Sequence, residues 1–342
     1  MKHIEISKRI FHFKQPAGTS RGIYTTRQCY FLTLTDDGMP GIKGVGECSP
    51  LPKLSCDDLP DYETILHQIC KLVESTDKIP YDLLRPYPSI LFGLETAFAQ
   101  LKAHGSTMLF DTPFGRGEEG IRINGLVWMG SFDEMAERLE AKLRQGFHCV
   151  KLKIGAIDFE KEIELIRHIR ESFDKHQVEL RVDANGAFTP KNALQHLETL
   201  AKYDIHSIEQ PIKQHQWKDI AHLCADSPLP IALDEELIGV NIATMKEALL
   251  DTIRPQYIVL KPSLHGGMRG MEEWIRLANA RGIGSWITSA LESNIGLNAI
   301  AQLCAKVYGP HVSTPQGLGT GQLFTDNIEM PLTIRGDEMW TT

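Results

Sequence analysis

Hydrophobic and polar positions are distributed along the chain in two different ways, and the change falls near residue 110. Before it, apolar and polar residues alternate in segments 3–14, 24–36 and 42–47, which is typical of half-buried β-strands. Two patterns of helical spacing follow, over 60–75 and 88–104. Strands followed by helices predict an α+β unit at the start of the chain.

From about residue 120 the pattern becomes a repeated alternation of strand and helix. The clearest helix covers 159–173, where apolar residues recur at steps of three and four. Seven helical patterns separate eight strand candidates, which are 121–127, 148–153, 179–183, 206–209, 230–234, 256–261, 283–288 and 311–314. Such alternation predicts parallel strands, and eight of them can close a barrel. We therefore expect an α/β fold: a modified (β/α)7β TIM-type barrel with an N-terminal α+β capping domain.

The same change of pattern predicts the domain boundaries. Residues 1–115 are expected to form the capping domain and residues 116–315 the catalytic barrel, while the tail 316–342 packs back on the capping domain. Residues 115–120 match the pattern GxGxxG, but they do not follow a strand and their two glutamates would repel a pyrophosphate. A hinge between domains is the better interpretation of that segment.

Composition narrows the class of protein. The 342 residues include 44 acidic and 36 basic side chains, a net charge of −8, and there are no basic blocks, which argues against a nucleic-acid or membrane surface. The seven cysteines are odd in number and never arranged as CxxC, so we expect neither a disulfide framework nor a zinc site. With no apolar signal or membrane-spanning segment, the sequence predicts a soluble, cytoplasmic protein.

Charged residues break the apolar pattern at the end of five consecutive predicted barrel strands. In 149–154, Val150 and Leu152 face one way, so the two lysines between and after them face the barrel interior. The same parity in the next four strands yields six inward charges, which are Lys151, Lys153, Asp183, Glu209, Asp234 and Lys261. Burying six charges without a function is costly unless they pair with one another, so the sequence predicts an active site at this end of the barrel.

The residue types indicate the chemistry of that site. Asp183, Glu209 and Asp234, without His or Cys among them, favour a hard divalent ion such as Mg²⁺. Two adjacent lysines disfavour each other's charge, so at least one lysine pKa is expected to fall. A neutral lysine amine can remove the proton α to a metal-bound carboxylate. Lys261, across the barrel, is either a second acid/base or a cation held against the intermediate.

Taken together, these motifs resemble the enolase superfamily and, within it, the muconate-lactonizing-enzyme subgroup. The matching motifs are KLK at 151–153, DAN at 183–185, EQP at 209–211, DE at 234–235 and LKP at 260–262. The segments GECSPLP at 46–52 and TSALES at 288–293 are most similar to the o-succinylbenzoate synthase family. The resemblance implies Mg²⁺-dependent syn-dehydration of 2-succinyl-6-hydroxy-2,4-cyclohexadiene-1-carboxylate to o-succinylbenzoate, a step of menaquinone biosynthesis.

The resemblance also implies a role for each charged residue of the site. Mg²⁺, or Mn²⁺ in its place, is bound by Asp183, Glu209 and Asp234. Lys153 is the base and then the acid, Lys151 tunes Lys153, and Lys261 makes a cation–π contact with the intermediate.

Five further residues are expected to contact the substrate: Asn185, Ser289 and Ala290 in the barrel, and Ser20 and Arg21 in a cap loop that closes over the site.

Two alternatives to the dehydratase function remain open. An N-acylamino-acid racemase or dipeptide epimerase would use Lys153 and Lys261 as opposed acid/bases, although 289–293 lacks the DxD of dipeptide epimerases. A non-catalytic barrel would bind only a metal or a dicarboxylate. The sequence has no feature that determines the oligomeric state or a protein partner.

Overall fold

The computed structural model describes residues 1–19 and 22–342, and they begin with an antiparallel sheet covered by two helices. The strands are β1 (Lys2–Thr19), β2 (Gly22–Asp36) and β3 (Lys43–Cys48), in the order β1-β2-β3, and the helices are α1 (Tyr62–Thr76) and α2 (Pro88–Lys102). One face of the sheet packs on both helices through buried residues such as Leu32, Leu66 and Leu94. The predicted N-terminal α+β unit is therefore confirmed.

Strand β3 lies directly on helix α2 because glycines stand where other residues would carry a side chain. A Cβ on Gly46 would lie 1.8 Å from the carbonyl oxygen of Gly93, and a Cβ on Gly44 would lie 1.9 Å from that of Ala97. Neither obstacle is a flexible side chain, so only glycine permits this approach. The contact also fixes the start of the GECSPLP segment, whose first residue is Gly46.

Substitution of Gly46 by Ala should therefore lower the free energy of unfolding by about 3 kcal/mol, the range of a severe overpacking change. The urea midpoint of each variant would measure the effect. Gly38→Ala is the matched control, because its Cβ would meet only Asp36 at 3.4 Å. Equal midpoints for the two variants would contradict the close contact between β3 and α2.

The barrel follows as a parallel sheet. Its seven strands, all within 22–342, are β5 (Gly125–Val127), β6 (Cys149–Lys153), β7 (Glu179–Asp183), β8 (Ser207–Glu209), β9 (Ile231–Leu233), β10 (Tyr257–Leu260) and β11 (Gly284–Ile287), and the short β4 (Ile121–Arg122) precedes them. The helices after these strands are α3 (Phe132–Arg144), α4 (Phe159–Ser172), α5 (Ala193–Leu200), α6 (Trp217–Asp226), α7 (Ala243–Ile253), α8 (Gly267–Asn279) and α9 (Asn294–Tyr308). The predicted α/β class, with seven barrel helices and a capping unit, is confirmed.

The prediction of an eighth strand over 311–314 is wrong. Within the described residues the sheet is closed instead by two single bridges, Gln316 to Ile123 and Gly317 to Thr288. The candidate strand 121–127 is also divided, because β4 leaves the barrel sheet and pairs with the tail. Short apolar runs do not distinguish a full strand from an isolated bridge, and this explains both errors.

The tail contacts both parts of the chain. Lys14 donates its backbone N–H to Leu323 at 2.8 Å, and Phe13 stacks near Phe324 with ring centroids 4.6 Å apart. Its last two strands, β12 (Leu332–Arg335) and β13 (Glu338–Thr341), form a sheet with β4. The domain boundaries at 115 and 315 stay a prediction. Among the described helices, none has the length and apolar character that crossing a membrane requires.

Candidate active site

The ends of strands β6, β7 and β8 bring the predicted charges into one row inside the barrel. Lys153 is paired in register with Asp183, and Asp183 with Glu209. The residues between them, such as Leu152 and Val182, are fully buried in the core outside the sheet. The predicted parity is therefore confirmed: apolar side chains meet the helices, and charged ones face the interior.

The two lysines of β6 bind the two nearest carboxylates. Lys151 Nζ lies 3.0 Å from Asp183 Oδ2 and 2.8 Å from Glu209 Oε2. Lys153 Nζ lies 3.0 Å from the same Asp183 oxygen and donates to Asn185 Oδ1 at 2.7 Å. Asn185 thus holds the amine of Lys153 from the end of the neighbouring strand, with its backbone in the left-handed region at φ 45°.

A second ion pair lies on the other side of the barrel. Lys261, after β10, donates a hydrogen bond to Asp234, after β9. The next residue, Glu235, is 3% exposed and accepts a hydrogen bond from Asn185 Nδ2 at 3.0 Å. Glu235 therefore belongs to the site. It was part of the DE motif, but its role was missed because it follows the strand end instead of occupying an inward position.

Burial and charge shift the pKa values of the row in opposite directions. Burial lowers the pKa of Lys151, but the carboxylates of Asp183 and Glu209 outweigh it and raise that pKa above its ordinary value. Burial and the charge of Asp183 raise the pKa of Glu209 to about 8. The fall expected for one of the two adjacent lysines is therefore not found at Lys151. Burial lowers the pKa of Lys261, but the charge of Asp234 outweighs it and raises that pKa. The carboxylates that bind the two adjacent lysines come from neighbouring strands and outweigh the repulsion between the two ammonium groups.

The carboxylates leave several oxygens for a cation. Glu209 Oε1, Asp234 Oδ1 and Glu235 Oε2 are buried and have no hydrogen-bond partner. Hard oxygen ligands of this kind suit Mg²⁺, and a divalent cation would offset the burial of their charge. In the described part of the chain, no three acidic, His or Cys side chains stand in a metal-binding arrangement. The ammonium groups of Lys151, Lys153 and Lys261 lie against the carboxylates instead.

These charges line a cavity of about 630 Å³ at the carboxyl ends of the strands. Trp128, just after β5, lies in its wall, with its ring 5.9 Å from Lys153 Nζ. Ser289 and Ala290 also line it, and the Ser289 hydroxyl lies 2.5 Å from that of Thr320. Trp128 was not predicted, although the rule that located the charges, a residue at the carboxyl end of a barrel strand, applies to it as well.

The structure brings together all but two of the predicted site residues. The three lysines, Asp183 and Glu209 line this cavity with Asn185, Ser289 and Ala290, and Asp234 binds Lys261 from beside it. Ser20 and Arg21 lie outside the described residues.

The GECSPLP segment attaches the cap to the barrel. Glu47, fully buried, accepts hydrogen bonds from the backbone N–H of Ser293 and of Gly296, both at 2.9 Å. These groups are at the start of α9, where unpaired N–H groups and the helix dipole favour a carboxylate. Leu51, from the same segment, lines the cavity. The motif therefore fixes the position of one cavity wall.

This fold and this row of charged residues define a family. Residues 134–336 match the enolase C-terminal domain-like family, and the chain belongs to it. The o-succinylbenzoate synthase of Desulfotalea psychrophila is 48% identical to the chain over 95% of each sequence. The predicted resemblance is confirmed, and the chain is an enzyme, a lyase of the o-succinylbenzoate synthase type.

Solved structures agree with the fold. The crystal structure of MenC from Desulfotalea psychrophila has a TM-score of 0.83 at 43% identity and covers 99% of both chains. The L-Ala-D/L-Glu epimerase of Bacillus subtilis, in a substrate-liganded complex, has a TM-score of 0.84 at 22% identity, with 99% and 96% covered, and this likeness concerns the fold alone.

Proposed function

We propose that the enzyme dehydrates 2-succinyl-6-hydroxy-2,4-cyclohexadiene-1-carboxylate to o-succinylbenzoate with the help of Mg²⁺. The observation that carries the proposal is the pair Lys151 and Lys153 facing one cavity with Asp183 and Glu209, while Lys261 faces it from the other side. The high identity to a curated o-succinylbenzoate synthase supports the choice of substrate.

Three carboxylates would hold the metal: Asp183, Glu209 and Asp234. Two of them, Glu209 and Asp234, have buried oxygens without a hydrogen-bond partner, which fits an additional cation. When bound, Mg²⁺ supplies positive charge against the substrate carboxylate, which makes the adjacent C–H bond more acidic. Mn²⁺ has similar ligand preferences and is the expected substitute.

Lys153 would move the proton. Its amine is fixed by Asn185 and Asp183, so it faces the cavity in one orientation. As a neutral amine it takes the proton from the ring carbon that bears the carboxylate. As an ammonium it returns that proton to the hydroxyl group leaving from the neighbouring carbon. One C–H and one C–O bond break on the same face, water leaves, and the ring becomes aromatic.

Lys151 and Lys261 would place fixed positive charges beside Lys153 and beside the substrate ring. Lys151 binds the same Asp183 oxygen as Lys153 and is proposed to tune Lys153 from that position. Lys261 is held by Asp234 and would remain an ammonium. There it stabilises the electron-rich ring by a cation–π contact.

The polar groups of the wall would orient the substrate. Asn185, Ser289 and Ala290 line the cavity and are proposed to contact the substrate. Ser20 and Arg21 are proposed to contact the substrate from the cap.

The proposal also includes the pathway, which is menaquinone biosynthesis, and a cytoplasmic location. The seven cysteines, all free, fit a reducing compartment.

A racemase or epimerase is the second candidate. Lys153 and Lys261 face the cavity from opposite sides, which is the arrangement for removing a proton on one face and returning it on the other. The L-Ala-D/L-Glu epimerase of Bacillus subtilis, which has the same fold, is 26% identical by sequence alignment over 88% of the chain, against 22% by structural superposition.

One assay separates the candidates. The enzyme with Mg²⁺ is given the cyclohexadiene substrate, followed by absorbance, and in parallel N-succinyl amino acids and dipeptides in D₂O, followed by deuterium incorporation. We expect rapid dehydration. Deuterium exchange into amino acids or dipeptides without dehydration would reject the lyase proposal and support the isomerase. If the protein binds the metal but shows neither dehydration nor deuterium exchange, it is a binding protein.

A further inference from the structure

Arg27, on strand β2, joins the cap to the barrel from a fully buried position. The residue is 1% exposed, and its guanidinium donates to four backbone carbonyl oxygens. On the cap side it binds Pro50 through Nη1 and Ser49 through Nη2, both at 2.5 Å. On the barrel side it binds Leu291 through Nε at 3.2 Å and Ala290 through Nη2 at 3.4 Å. The rigid fork of one side chain therefore spans the boundary between two loops.

Both loops form part of the cavity wall. Leu51, which follows Pro50 directly, lines the cavity from the cap. Ala290 and Leu291 line it from the barrel. The spacing between these two wall segments is therefore set by a group that lies behind them, outside the cavity lining.

The backbone of the barrel loop at Ala290–Leu291 has a strained conformation that its neighbours must stabilise. Leu291 has a φ of 64°, in the left-handed region that an ordinary L-residue avoids at a cost of order 1–3 kcal/mol. Arg27 binds its carbonyl oxygen, while Glu292 accepts a hydrogen bond from the N–H of Ala290 at 2.6 Å. Such a conformation persists only where its surroundings impose it, and here part of them comes from the cap.

The charge of Arg27 matters as well as its shape. Glu47 and Glu292 are fully buried close to it. Burial raises the pKa of Glu292 and the charge of Glu47 adds to this rise, whereas the charge of Arg27 acts in the opposite direction. A lysine at position 27 would keep this charge but lose the fork, and an alanine would lose both.

We infer that Arg27 is a positioning residue for the active site: it holds the Leu51 and Ala290–Leu291 wall segments in register and thereby sets the affinity for substrate. Arg27 does not line the cavity, whereas the three lysines proposed to act on the substrate do, so Arg27 does not touch the reacting atoms. The inference rests on the proposed function only for the choice of substrate.

The test is the steady-state kinetics of Arg27→Lys. We expect KM to rise about tenfold while kcat stays within about threefold, because the wall loosens and the lysines do not move. Arg170→Lys is the matched control. Arg170 also binds carbonyl oxygens, those of Tyr203 and Val178 at 2.8 Å, but it lies away from the cavity. Its KM and kcat should both be those of the wild type.

Two outcomes would overturn the inference. They are an unchanged KM in folded Arg27→Lys, whether or not kcat falls, and an equal rise of KM in Arg170→Lys. If Arg27→Lys does not fold, Arg27→Ala is assayed with guanidinium ion at concentrations below those that unfold the wild type. Recovery of KM towards the wild-type value is expected, and failure of guanidinium to lower KM would count against the inference.

The two proposals can fail separately. If the wild type shows no dehydration, the proposed function fails. The role of Arg27 is then tested by binding of o-succinylbenzoate, an aromatic dicarboxylate, followed by tryptophan fluorescence, since Trp128 lies in the cavity wall. Equal dissociation constants for the wild type and Arg27→Lys would reject it.

Discussion

Replacement of Lys153 by Ala should lower kcat by about 10⁴-fold, the upper range for removing a general acid–base group, while Mg²⁺ binding stays nearly intact. Lys153 Nζ is fixed 2.7 Å from Asn185 Oδ1 and is proposed to move the proton in both steps. Its loss removes a positive charge next to Asp183, which cannot weaken the attraction of that carboxylate for a cation. Absorbance kinetics would measure the rate, and Mn²⁺ titration by electron paramagnetic resonance the affinity.

Lys153→Arg is the matched variant that separates charge from proton transfer. A guanidinium keeps the positive charge but cannot lose its proton in the working pH range. We therefore expect this variant to be as inactive as Lys153→Ala, and both to bind Mn²⁺. A loss of metal binding in Lys153→Ala, or an Arg variant with activity near the wild-type level, would contradict the assignment of Lys153 as the base.

The barrel and the charges of the site were predictable because they depend on local periodicity. Alternation in 149–154 alone determines that Lys151 and Lys153 lie on the face opposite Val150, and the structure has this parity. The strand–helix repeat then requires that successive strand ends meet at one edge. No knowledge of distant contacts is needed for these two steps.

What could not be predicted depends on contacts between distant parts of the chain. Arg27 is polar within a strand, which usually marks an exposed position, yet it is buried because loops from two domains supply it with carbonyl oxygens. The closing bridge at Gln316 has no strand-like pattern around it, and depends on the position of Ile123. The pKa of Lys151 depends on which carboxylates bind it, and one strand considered alone does not contain that information.

The balance of charge in the site predicts that Glu209, a proposed metal ligand, cannot be replaced by an amide. Asp183, Glu209 and Asp234 are paired with Lys151, Lys153 and Lys261, and Glu235 adds one more buried carboxylate. Glu209 is 2% exposed, with Oε1 free of hydrogen bonds and Oε2 bound to Lys151. A glutamine there would keep the shape but remove one negative charge, so a divalent cation would meet three carboxylates and three lysines where the wild type has four carboxylates and three lysines.

For Glu209→Gln we therefore expect Mn²⁺ affinity to fall by about a hundredfold or more and kcat/KM by about 10³-fold. Part of the activity should return at high Mg²⁺ concentration, as chelation and re-addition of Mg²⁺ should remove and restore the activity of the wild type. Glu95→Gln is the control, because Glu95 is a buried carboxylate with a pKa raised to about 8 that binds the start of α8 and does not line the cavity. Unchanged Mn²⁺ affinity in Glu209→Gln, or an equal loss in Glu95→Gln, would show that Glu209 is buried for stability and does not hold the metal.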